Sequence, residues 1–142
     1  MDQTIDALIE HLDSQVDKYG VQSVKLYAGE FADADSVEHI LPAILVVPPS
    51  LDTTRLNYRM EFSLLIVSET LGYDRESNAE ENLLLGWRIY HWLKNNSIFT
   101  DGSSRYRIGV QGGQQGSMRA KIAVFSWRHV VTEIELTIWK KL

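Results

Sequence analysis

Between residues 2 and 19 the apolar positions are Ile5, Leu8, Ile9, Leu12 and Val16, the i, i+3, i+4 spacing of an amphipathic helix, with polar residues opposite. Gly20 follows where a helix often takes a left-handed C′ residue. From Val21 to Ala28 the pattern changes to weak alternation, Val24 and Leu26 against Lys25 and Tyr27, which predicts a strand. Residues 29 to 41, GEFADADSVEHIL, are acidic, lack a period and end at Pro42, so they predict a loop. Ala43 to Val47 is unbroken apolar sequence closed by Pro48-Pro49, the mark of a short strand buried on both faces. Asn57 to Val67 alternates most clearly. Tyr58, Met60, Phe62, Leu64 and Ile66 share one face, and Arg59, Glu61 and Ser63 the other, which turns apolar at Leu65 and Val67.

The stretch Asn78 to Asn96, NAEENLLLGWRIYHWLKNN, is the most apolar helical segment and holds Trp87 and Trp92. Ser77 and Glu80 have the spacing of a capping box at its start. With Leu83 at zero on a helical wheel, Trp87, Tyr90, Gly86, Leu93 and Ile89 spread from about +40° to about −120°, the expected sheet-facing stripe. Leu85 and Trp92 fall near 180–200° on that wheel, outside the stripe, so either the first helix or another subunit must cover them.

TDGSS at 100 to 104 reads as a turn, and Arg105 to Gln111 alternates Tyr106, Ile108 and Val110 against Arg105, Arg107 and Gln111. GGQQGS, residues 112 to 117, is rich in Gly and Gln and reads as a mobile connection. Met118 to Phe125 and Val130 to Trp139 predict a hairpin around SWRH. Placing Lys121 opposite Glu133 and Arg119 opposite Glu135 sets Ile122 opposite Thr132 and Ala120 opposite Ile134, the register with the best charge pairing. Together the elements predict one α+β domain over residues 1–142: a mainly antiparallel sheet of about five to six strands with two helices packed on one face.

Composition narrows the chemistry. The chain has 142 residues, no cysteine and a formal net charge of −5. Disulfides, thiolate nucleophiles and cysteine-ligated metals are excluded. No signal peptide or membrane-length apolar run is visible, so a soluble protein made in the cytoplasm is expected. His11, His39, His91 and His129 form no HxH or HExxH motif; His11 and His129 read as solvated surface groups, and His91 as a packing residue. Glu30, Asp33, Asp35 and Glu38 lack the spacing of a calcium loop. The glycine run matches neither phosphate-binding fingerprint, and Ser104, Ser117 and Ser126 lack a nucleophile-elbow context. No catalysis and no cofactor are therefore expected. Arg105, Arg107, Arg119 and Lys121 form the one basic cluster, and they keep a nucleic-acid-binding module open as the alternative function.

Several phrases carry a family resemblance. LYAGEF at 26–31, LPAILVV at 41–47, the long alternating strand, the Trp-bearing second helix and the alternating C-terminal strand resemble a family of small tail proteins of Mu-like phages and prophages. That family is related to the tail-terminator, or tail-completion, proteins of long-tailed phages, and the likeness runs from about Val24 to the C-terminus. The resemblance implies an α+β domain that forms a ring with itself, typically six-fold, on the head-proximal end of the tail tube. Such a ring stops tube growth, contacts the tube protein and the head–tail connector, and lets DNA pass through its lumen without sequence recognition. It also implies residence in the virion tail after assembly in the host cytoplasm, with no membrane partner. A closed ring needs two different patches per subunit. Phe31, Leu85, Arg88, Trp92, Arg105, Arg107, Gln114 and Gln115 are the expected interface residues.

Overall fold

A computed structural model describes residues 2–27, 42–48, 59–69, 75–102, 104–110, 118–122 and 129–141. The element order is α1 (Asp2–Asp13), α2 (Val16–Tyr19), β1 (Ser23–Leu26), β2 (Ala43–Val47), β3 (Arg59–Glu69), α3 (Arg75–Asn95), β4 (Ile98–Thr100), β5 (Arg105–Val110), β6 (Met118–Ile122) and β7 (His129–Lys141). The result is an α+β fold around one sheet of seven strands, ordered β1-β2-β3-β7-β5-β4, with β6 also on β7. Every pair is antiparallel except β1 with β2.

β7 is the axis of the sheet. It pairs along eleven positions with β3, from His129 opposite Glu69 to Trp139 opposite Arg59. Its other edge is shared end to end. β6 occupies Val130 to Ile134, and β5 occupies Leu136 to Lys141. β2 lies between β1 and β3 and is buried from Ala43 to Val46, as its unbroken apolar run predicts. The alternation of β3 also holds: Met60, Phe62, Leu64 and Ile66 join the main core. Val67 belongs to a smaller cluster on the opposite face with Leu45 and Val131, against which Leu65 and Tyr27 pack.

The expected first helix is interrupted. The Ser14 hydroxyl donates to the His11 carbonyl at 2.6 Å, and the Gln15 amide reaches back only three residues, to Leu12. Side-chain bonding of this kind competes with the helical ladder, so α1 ends at Asp13 and the short α2 restarts at Val16. Gly20 has φ +79°, the left-handed conformation expected of it.

Helix α3 is rotated relative to the predicted stripe. Leu83, Leu84 and Trp87 are 39%, 56% and 50% exposed, whereas Leu85 and Trp92 are only 9% and 8% exposed. On the same wheel the buried residues run from Trp92 near 180° through Leu85, Ile89, Asn82, Leu93 and Gly86 to Tyr90 near 340°. The centre of that arc is Asn82, near 260°. Asn82 is 1% exposed. Its amide nitrogen donates to Ser68 Oγ at 2.8 Å, to the Ile66 carbonyl at 3.1 Å and to the Val130 carbonyl at 3.2 Å, while its carbonyl oxygen accepts from the Thr132 hydroxyl. One turn later sits Gly86, where an added Cβ would lie 2.7 Å from Thr132 Cγ2. A buried polar side chain and a missing one thus seat α3 on β3 and β7, and α3 turns toward them rather than toward its greasiest side. The helix also begins at Arg75, so Ser77 lies inside it and not at a cap.

The β6–β7 register differs from the one chosen for charge pairing. Arg119 is opposite Glu133, Ala120 opposite Thr132, Lys121 opposite Val131 and Ile122 opposite Val130. The two registers differ by two residues, so both keep each residue on the same face, and the hydrophobic pattern cannot separate them. An exposed cross-strand charge pair contributes at most about 1 kcal/mol, too little to decide register alone. His129 lies in the β7 backbone rather than in a turn, and Ile98–Thr100 forms a strand where only a following turn was expected.

Two predictions follow from the seating of α3. Gly86→Ala should destabilise the fold by about 1–3 kcal/mol from overpacking, although Ala is intrinsically the better helix former by about 1 kcal/mol. Adding Thr132→Ser removes the opposing methyl and should restore part of the loss in chemical denaturation; a stabilising Gly86→Ala would contradict the close contact. Trp92→Ala should cost about 3–5 kcal/mol, as for a core aromatic. A melting temperature unchanged by Trp92→Ala would return Trp92 to the surface.

Candidate functional site

Two exposed surfaces stand out, one on each side of the sheet. The first is the outer face of α3. Leu83, Leu84 and Trp87 lie on consecutive turns, with Arg88 and His91 exposed beside them. Trp87 stacks on Tyr90 at 5.7 Å between ring centroids and meets His91 edge-on at 4.7 Å. Lys94 lies over the Tyr90 ring at 5.5 Å. The aromatic side chains are therefore held in place by one another, and the Trp87 indole is presented to solvent in a fixed setting. Single exposed apolar residues need no explanation, but Leu83, Leu84 and Trp87 are neighbours on one side of the helix.

The second surface lies on the sheet face away from the helices. Tyr106 and Ile108 of β5 point into the core, so Arg105 and Arg107 alternate outward. The β7 register sets Arg107 opposite Trp139 and Arg105 opposite Lys141. Arg59 of β3 flanks Trp139 on its other side. The Arg107 guanidinium sits 4.7 Å from the Trp139 ring centroid. Gly109 makes room for this ring: a Cβ there would come within 2.5 Å of the indole. Gly109 lies in β5, as the alternation from Arg105 to Gln111 predicts, and serves as a seat for Trp139. Ile98, Arg105, Arg107, Trp139, Lys140 and Lys141, with Tyr106 beneath, line a groove of about 250 Å³. Among the described residues, no carboxylate forms an ion pair with Arg105, Arg107 or Lys141.

The expected site residues separate accordingly. Arg88, Arg105 and Arg107 are exposed. Leu85 and Trp92 are core residues of the single chain, covered from within. Phe31, Gln114 and Gln115 lie outside the described residues. The four-residue basic cluster is split along β7. Arg105 and Arg107 pair near its C-terminal end and Arg119 near its N-terminal end, opposite Glu133. Six residues of strand between Glu133 and Trp139 amount to about 20 Å. Lys140 and Lys141, absent from the sequence reading, join the groove instead. No group of three or more metal-ligating side chains occurs among the described residues.

His11 is the residue whose role is least visible in the sequence. It is half-buried between Trp92, at 4.8 Å, and Phe99, at 5.0 Å between ring centroids. Its Nε2 donates to the Asn96 carbonyl at 2.9 Å. Asn96 in turn closes α3 through its amide and side-chain nitrogens, both on the Trp92 carbonyl. His11 thus ties α1 to the end of α3 and covers Trp92, where the pattern suggested a solvated ring. Burial lowers its pKa below the ordinary 6.5, against the smaller opposing effect of the Asn96 hydrogen bond. The unfolded chain then binds the proton more readily than the folded one. Stability should fall as pH drops from about 6.5 through the lowered folded value, with no contribution from this ring well above 6.5. Urea titrations between about pH 7 and pH 5 should show a smaller loss of stability in His11→Gln than in the parent. Equal slopes would contradict the assignment.

No protein-family model matches the chain, and comparison with curated proteins found no match.

Proposed function

We propose that the chain is a structural subunit of a phage or prophage tail, a tail terminator that closes into a ring on the tail tube, ends its growth and presents a surface to the head connector. The observation that carries this reading is the outer face of α3, where Leu83, Leu84 and half-exposed Trp87 leave apolar surface uncovered on an otherwise well-filled helix. Aromatic residues with a neighbouring arginine, here Arg88, are the side chains most enriched in buried interface centres. The phrases that resemble Mu-like tail proteins support it as well. LPAILVV ends in the interior strand β2, the long alternating segment is β3, and the Trp-bearing segment is α3. An assembly role on this reading requires no catalysis and no cofactor.

Solution mass and particle images of the full chain test the reading. A closed ring with a central hole is expected, in place of a 16.2 kDa particle. A chain that stays single at all concentrations and does not cap isolated tail tubes would contradict it. Trp87→Ala should dissociate the ring while costing about 1–2 kcal/mol of fold stability from the lost stacking on Tyr90 and His91, less than the roughly 3–5 kcal/mol of a core tryptophan. Loss of fold in that variant would place Trp87 in the core.

A further inference from the structure

The groove at the C-terminal end of β7 holds positive charge that no described carboxylate pairs with, in a chain whose net charge is −5. Arg105 and Lys141 are direct cross-strand partners, an arrangement in which like charges repel. Trp139 and Ile98, the latter 48% exposed, add apolar surface beside them. Among the described residues, α1 carries a row of exposed carboxylates of the opposite charge. Asp6, Glu10 and Asp13 are exposed at i, i+4 and i+3 spacing, with no ion-pair partner among the described residues. Like charges at these spacings also repel. With Leu8, fully buried, at zero on the wheel, the three carboxylates fall between about 140° and 200°, directly away from the core.

The two charged surfaces cannot meet within one chain. α1 lies in the helix layer on one side of the sheet, and Arg105 and Arg107 project from the other. They are therefore suited to a heterologous contact, in which one patch of a subunit meets a different patch of the next and the pattern repeats around a ring. Nucleic acid would satisfy the groove alone, but it would leave the acidic stripe unexplained. A second copy satisfies both.

We infer that the groove lined by Arg105, Arg107, Trp139 and Lys141 receives the acidic face of α1, Asp6, Glu10 and Asp13, from a neighbouring copy of the same chain. The inference rests on the ring reading and assigns its two complementary patches. The groove cations give the contact its charge selectivity and salt dependence, and Trp139 with Ile98 supplies apolar area.

Charge exchange in the full-length chain tests it. One variant carries Asp6→Arg and Glu10→Arg, making both patches positive. The other carries Arg105→Glu and Arg107→Glu, making both negative. Each alone should run as a single chain under conditions where the parent forms rings. An equimolar mixture should recover ring mass, because alternating copies restore every contact, and that recovery itself proves that both variants fold. Either variant retaining the parent's ring mass, or a folded pair that does not assemble on mixing, would overturn the inference while leaving the ring reading intact. A parent that forms no ring either in solution or on isolated tail tubes removes both. Loss of single-stranded DNA binding by the Arg105→Glu, Arg107→Glu variant with ring mass unchanged would assign the groove to nucleic acid instead.

Discussion

The contact of Asn82 and Gly86 with Thr132 decides how the rest of the molecule is arranged. The Asn82 side chain satisfies carbonyls on β3 and β7 and accepts from the Thr132 hydroxyl, and Gly86 lets the helix backbone come down on the Thr132 methyl. Polar groups buried this deeply are costly without partners, so the network permits one rotation of α3 and penalises others. That rotation turns Leu85, Ile89 and Leu93 inward and brings Trp92 under His11. It also turns Leu83, Leu84 and Trp87 outward. The exposed apolar face is thus a consequence of the packing and not a defect in it.

Much of the architecture was legible from periodicity. β2 and β3 follow from an unbroken and an alternating apolar run, β5 from the alternation of Tyr106 and Ile108 with arginines, and Gly20 from its place at a helix end. These readings succeed where hydrophobicity and burial coincide. They fail where they part. The wheel for α3 weighted Trp87 and Leu83 by their apolar character and gave Asn82 no place in the stripe, so it missed the true centre by about 60°. A buried asparagine has no distinguishing mark in sequence, because its partners are backbone carbonyls and a threonine far along the chain. His11 escaped for the same reason: its environment comes from Trp92, Phe99 and Asn96, all more than 80 positions away. The groove was half legible. Arg105 and Arg107 were identifiable as exposed cations, but their association with Lys141 and Trp139 needed the pairing of β5 with β7.

The two surfaces lie on opposite sides of one sheet, which suits a subunit that repeats by head-to-tail contact. On the helix side are the apolar face of α3 and the acidic face of α1. On the far side is a cationic groove around a tryptophan seated on glycine. Assembly in the proposed tail role would bury hydrophobic area through the first and gain selectivity through the charges.

α3 buries Trp92 within the chain and leaves Trp87 half in solvent, and we propose that a partner covers Trp87. Oxidative footprinting of the full chain across a concentration series compares the two directly. Trp92 should be protected at every concentration, and Trp87 should be reactive when the chain is dilute and protected once it assembles. Trp87 that remains reactive in the assembled state, or Trp92 whose protection depends on concentration, would contradict the account.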